Sequence, residues 1–168
     1  CLSRRCGRWR GRVTPIQRRR REDTVSISMP DSHTHLETLR GLPTETEWLE
    51  FKEAKNSFAV DDLGRYVSAL ANEANFLGRD ASWLVFGVKN TLNPATGLRP
   101  VVGSRFAPTA TERNEIKRQI AAHTSPSLGL DDPLEVWHPD CSDGARVLLW
   151  RIPPAPRGMP IAWKGHYY

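Results

Sequence analysis

Opposite charges stand two residues apart in Glu47-Trp48-Leu49-Glu50-Phe51-Lys52, so an extended chain puts Glu50, Lys52 and Trp48 on one face. By spacing alone, Glu50 and Lys52 read as a solvated ion pair worth at most about 1 kcal/mol. Trp48 has two uses. It can pack against the sheet, or it can stack on a nucleic-acid base, a contact worth roughly 1 to 3 kcal/mol in single-strand binders. Arg113, Lys117 and Arg118 recur on one side of a helical pattern, where the choice is between a solvated face and a ridge that tracks phosphates. The pair His33 and His35 has the H-x-H look of a metal motif, but it lies in a polar stretch ahead of the patterned region and reads as chance. Asn72, Glu73 and Asn75 read as local caps or solvated groups, and His123 as a cap that complements a helix dipole.

Several chemistries find no support. No G-x-x-x-x-G-K-[ST] occurs for phosphate cradling, and the three cysteines, Cys1, Cys6 and Cys141, show no C-x-x-C spacing for a metal or a redox pair. Apolar runs fall far short of the ~18 residues of a membrane span, and no secretory signal is visible, so a cytoplasmic location is expected. The net charge of +5 is unevenly placed: residues 1–28 carry nine arginines against Glu22 and Asp23, leaving +7 there and −2 on the rest. Bulk charge therefore does not make the patterned region a nucleic-acid binder. The leader reads as upstream sequence with a natural start at Met29, because the chain opens on Cys1 and residues 29–43 form only a polar lead-in.

Those side chains need elements to hold them. A chain of 168 residues has room for one domain that removes roughly two thirds of its extended surface from water. Strict alternation over 47–52 predicts a half-buried strand with Leu49 and Phe51 inward. Leu63, Val67, Leu70, Ala71, Ala74 and Leu77 predict a helix capped by Asp61 or Asp62 and stopped near Gly78. Trp83-Leu84-Val85-Phe86-Gly87-Val88 is apolar almost throughout, as in a central strand covered on both faces. Pro100 to Gly103 reads as a short extended segment, and Thr109 with Glu112 as a capping box opening a second main helix. Strands at 134–138 and 146–152, joined through Asp140 to Gly144, precede a proline-rich loop and a strand starting at His166. A short helix over 36–42 leads in. The sum is an α+β fold: one small mixed sheet with two main helices packed on one side.

The motifs in this order resemble the Schlafen AlbA-like family. Glu45-Thr46-Glu47-Trp48-Leu49-Glu50-Phe51-Lys52 is similar to its E-[ST]-x-x-[LVI]-E-[FW]-K opening, and Tyr66 to Asn72 to its helix ending in A-x-[AS]-N. Trp83 to Val88 resembles its L-[IVL]-[IF]-G-V strand, Val101-Val102-Gly103 its V-G segment, and Pro160 to Tyr168 its P-x-x-x-x-G-x-Y-Y close. The resemblance covers residues 44–168 and implies an AlbA/Schlafen-core-like domain, cut at its C-terminus, from a larger bacterial protein of the ATP-binding or transcriptional-regulator kind.

For function, the resemblance implies DNA or RNA binding. On that reading the expected contacts in this chain are Lys52, Trp48, Lys89, Arg113 and Lys117, with Arg79 at the tip of the 75–82 loop as the preferred phosphate contact. Vertebrate relatives cleave structured RNA through three carboxylates and a divalent metal. The first two fall on Glu45 and Glu50, which would hold Mg2+ or Mn2+, and the third on Asn90. Asn90 offers only a neutral carbonyl beside the cationic Lys89, so a hard divalent ion is held less well and binding is favoured over cleavage. A protein-interaction module is the third reading, with edge pairing of the last strand as a route to a homodimer.

Overall fold

The computed structural model describes residues 31–43, 46–139 and 145–168. Ten elements follow in order: α1 (Ser32–Arg40), β1 (Leu49–Lys52), α2 (Val60–Phe76), β2 (Ser82–Phe86), α3 (Ala110–His123), β3 (Thr124–Ser125), β4 (Leu134–His138), β5 (Ala145–Ile152), β6 (Ala162–Trp163) and β7 (His166–Tyr167). Among the described residues, no helix is long and apolar enough to cross a membrane.

The main sheet runs β1-β2-β5-β4 and is mixed: β1 and β2 are parallel, and the other pairs antiparallel. A parallel pair needs a long crossover, and α2 supplies it between β1 and β2. The α+β expectation holds. β2 is buried along its whole length because alternate side chains enter two different cores. Leu84 and Phe86 join Leu63, Val67 and Leu70 of α2, Ile116 and Ile120 of α3, and Trp150 of β5. Trp83 and Val85 join Leu49 and Phe51 of β1 and Leu36 and Leu39 of α1.

This last cluster corrects the one-sided arrangement. The lead-in helix is longer than expected, begins at Ser32, and covers the second face of the sheet with Leu36 and Leu39. His33 and His35 thus lie in a packed helix, not in a stretch ahead of the domain.

The single-sheet expectation is corrected too. A second, three-stranded sheet, β3-β6-β7, gathers the residue pair after α3 and the closing hairpin. Its anchor is on α2, where Asn72 binds the backbone of Ile161 from both sides: Nδ2 donates to the carbonyl at 2.9 Å, and Oδ1 accepts from the amide at 2.7 Å. Ser68 Oγ donates to the same carbonyl at 2.7 Å. Asn72 is therefore a structural clasp for the chain's last segment, where a local cap was expected.

Helix ends divide between expectation and correction. The Thr109–Glu112 capping box of α3 forms in both directions. The α2 cap is Ala59, with no side-chain bond, and Asp61 and Asp62 sit instead in the first turn, where they complement the helix dipole. Leu77 falls just past the helix and is 43% exposed, outside the stripe it was grouped with. Gly78 follows with φ +63°, the left-handed stop expected there.

A candidate nucleic-acid interface along the edge of the sheet

Among the described residues, β1 is hydrogen-bonded to another strand on one side only, and its alternation turns Leu49 and Phe51 into the α1 face and Glu50 and Lys52 towards α2. Lys52 Nζ lies 2.7 Å from Glu50 Oε1 and 4.2 Å from the centre of the Tyr66 ring. Burial opposes the charge on Lys52, but its bonds to Glu50 and Tyr66 outweigh that and hold its pKa above the ordinary lysine value. The lysine stays cationic over a tyrosine face.

Toward the other end of the strand, Arg79 places its guanidinium 3.7 Å from the centre of the Trp48 ring. Two constraints create that stack. Trp48 is fixed by its carbonyl, which accepts from the Trp83 amide at 2.8 Å, and the Arg79 amide donates back to the Ala74 carbonyl at 2.8 Å in the turn after α2. Trp48 stands in the turn ahead of β1 and, against the alternation that groups it with Glu50 and Lys52, is half-buried against the Leu49–Phe51 cluster, while Arg79 over its ring is exposed.

Between the two cations lies negative charge. Burial, and next a hydrogen bond and repulsion from Glu47, raise the pKa of Glu73 above the ordinary carboxylate value. The sign follows from linkage. Below the unfolded-state pKa both states are protonated and nothing is lost, whereas stability falls as pH rises through the higher folded-state pKa. Glu73→Gln is thus expected to raise the melting temperature at pH 7 but not under acid conditions. The gain stays below about 1 kcal/mol because water screens the pair, and melting curves at the two pH values check it.

The remaining expected contacts are placed as follows. Glu45 lies outside the described residues. Lys89 and Asn90 are exposed just beyond β2, where the Lys89 amide donates to Pro100 and the Asn90 carbonyl accepts from Arg99 Nε at 2.9 Å. Arg113 and Lys117 sit at the far side of the sheet, where Arg113 Nη1 is 2.6 Å from Glu135 Oε1 on β4 and Lys117 Nζ is 2.6 Å from Asp132 Oδ1. β1 and β4 are opposite edges, so these two cations are separated from the Trp48–Arg79 stack. His123 Nδ1 meets the Gln119 carbonyl at 2.9 Å inside its own helix, in keeping with a capping role.

Sequence reasoning missed two features. Tyr66 joins α2 to β1, and Glu73 joins α2 to Glu47 in the turn ahead of β1, and no spacing within one element announces a contact between two. The only local hint was that Tyr66 and Glu73 lie seven residues apart on one helix, two turns along the same face.

With this geometry in view, comparison with known families matches residues 45–168 to the one described as Schlafen, AlbA_2. The chain belongs to that family. The match takes in β1, α2, β2, α3 and the closing hairpin, so the edge site and the Asn72 clasp are both parts of the Schlafen AlbA_2 domain. Among solved structures, the chain is similar to the N-terminal domain of a RecG-related protein from Nitrosomonas europaea, at 22% identity over 76% of each chain with a TM-score of 0.48. No curated protein matches.

Proposed function

We propose that this Schlafen AlbA_2 domain binds nucleic acid along its β1 edge, as a module of a larger regulatory protein. The observation that carries the reading is the Trp48–Arg79 stack, in which an exposed guanidinium fork is held over a half-buried indole. Lys89, exposed just beyond β2, adds a second cation. Binding is favoured over cleavage because Lys52 already neutralises Glu50 at 2.7 Å, and Asn90 adds no charge to attract a hard divalent ion.

The experiment is a titration of residues 29–168, without the arginine-rich leader, against a labelled single-stranded oligonucleotide over a range of salt. About two phosphate contacts, from Arg79 and Lys89, at roughly −0.7 each predict a slope of log affinity on log salt near −1.4. No binding at low salt, or binding indifferent to salt, removes the reading. Addition of Mg2+ or Mn2+ with a hairpin RNA tests the nuclease alternative in the same series: intact RNA is expected.

A further inference from the structure

On the far edge of the sheet, α1 and β4 bring together groups that sequence spacing had set apart. His33 and Glu37 are four residues apart and so share a face of α1. That face meets His138, the last residue of β4, which is 3% exposed. His138 Nε2 lies 3.2 Å from Glu37 Oε1, and the His33 ring stacks on the His138 ring with centres 5.5 Å apart at 18°. One nitrogen or oxygen from each of the three lies within 4.8 Å of the other two.

A positive group already stands in this cluster. Arg40 Nη1 lies 2.5 Å from Glu37 Oε1 and 2.8 Å from His138 Nε2, while Arg40 Nε donates to the Arg99 carbonyl at 2.8 Å. Guanidinium only donates, so Nε2 of His138 must turn its lone pair toward the point that Nη1 occupies. That orientation is the one a metal ion requires.

We propose that His33, Glu37 and His138 form a site for a divalent transition-metal ion of the zinc class, with Arg40 as the resident cation that the ion displaces. Two imidazoles and one carboxylate favour zinc or cobalt over magnesium or calcium, which take oxygen ligands. His33 and Glu37, the two part-exposed members, supply the movement needed to bring all three atoms to the roughly 2.0–2.1 Å of zinc bonds. Because its ligands come from α1 and β4, the ion would tie the covering helix to the edge of the sheet. Displacing Arg40 is the opposing cost.

The test uses the full chain under reducing conditions near pH 7.5, titrated with Co(II) and read by visible absorbance, with Zn(II) melting curves in parallel. One saturable equivalent is expected, without the sulfur-to-cobalt charge-transfer band that Cys1, Cys6 or Cys141 would produce. Zinc should raise the melting temperature, because only the folded chain assembles the site. His33→Ala, at a part-exposed position that tolerates truncation, should weaken binding by about tenfold or more. Arg40→Met should strengthen binding by removing the competing charge. The proposal is overturned by the absence of saturable binding, by a thiolate band, by unchanged affinity in His33→Ala, or by weaker binding in an Arg40→Met chain that retains its far-ultraviolet spectrum.

Discussion

Trp48→Ala is expected to weaken the binding of a single-stranded oligonucleotide by residues 29–168 by about 1 to 3 kcal/mol, roughly five- to 150-fold. The loss has two parts. The ring holds the Arg79 guanidinium 3.7 Å from its centre, so truncation frees that fork and restores its rotamer entropy, and the part of the indole left open is lost as a contact for a base. Arg79→Ala should lower the salt slope by about 0.7, the share of one phosphate contact on a single strand. Because both changes dismantle one stack, the double variant should lose less than the sum of the two. Trp48→Phe, which keeps a π-face, should retain most of the affinity.

The far edge supplies the internal control. Arg113 and Lys117 are each bound to a carboxylate at 2.6 Å, so replacing either by alanine should leave affinity within about twofold on the β1-edge reading. Unchanged affinity in Trp48→Ala, with the melting temperature of the parent, would show that the stack is packing and that the interface lies elsewhere.

Gly64→Ala is expected to destabilise the domain by about 2 kcal/mol net, against the direction that helix propensity dictates. Gly64 lies inside α2, where exchange for alanine ordinarily gains about 1 kcal/mol. Here a Cβ would stand 2.2 Å from Cδ2 and Cε2 of Trp163 and 2.5 Å from Cε3. The indole cannot swing away easily. It is 2% exposed, and its strand is held between β3 and β7. Overpacking of that severity costs roughly 3 kcal/mol, which exceeds the propensity gain. For a chain of this length, the net change lowers the melting temperature by about 4 to 8 °C. Trp163→Leu placed in the Gly64→Ala background should recover part of the loss, although alone it is destabilising, since the two positions share one space. A Gly64→Ala protein that melts above the parent would mean that β6 is not seated on α2.

Both predictions depend on contacts between elements, and that boundary separates what was readable in the chain from what was not. The half-buried β1 was legible because alternation is a property of a few neighbouring residues, and the buried β2 because an unbroken apolar run excludes an exposed strand. The α3 capping box and the stop at Gly78 were legible for the same reason: each bond or dihedral involved lies within four residues of its signal. The order of motifs across residues 45–168 carried the family, since a series of short patterns in sequence is more specific than any one of them.

Placement between elements was not encoded in any such window. Nothing near Leu36 states which face of the sheet it covers, so α1 passed for a lead-in although its leucines complete a core. Asn72 resembled a local cap because its true partner, Ile161, is 89 residues away. His33 and His138 likewise meet although they stand on α1 and β4, far apart along the chain. The main strands and helices, the family's motifs and the residue types available for binding were written in the chain, because those follow from local sterics and from the burial of apolar side chains. The folded chain alone sets Arg79 on Trp48, binds Lys52 to Glu50, and brings Glu37 and His138 onto Arg40 with His33 stacked beside them. Such pairings depend on how distant segments cross, which the packing of the entire core settles.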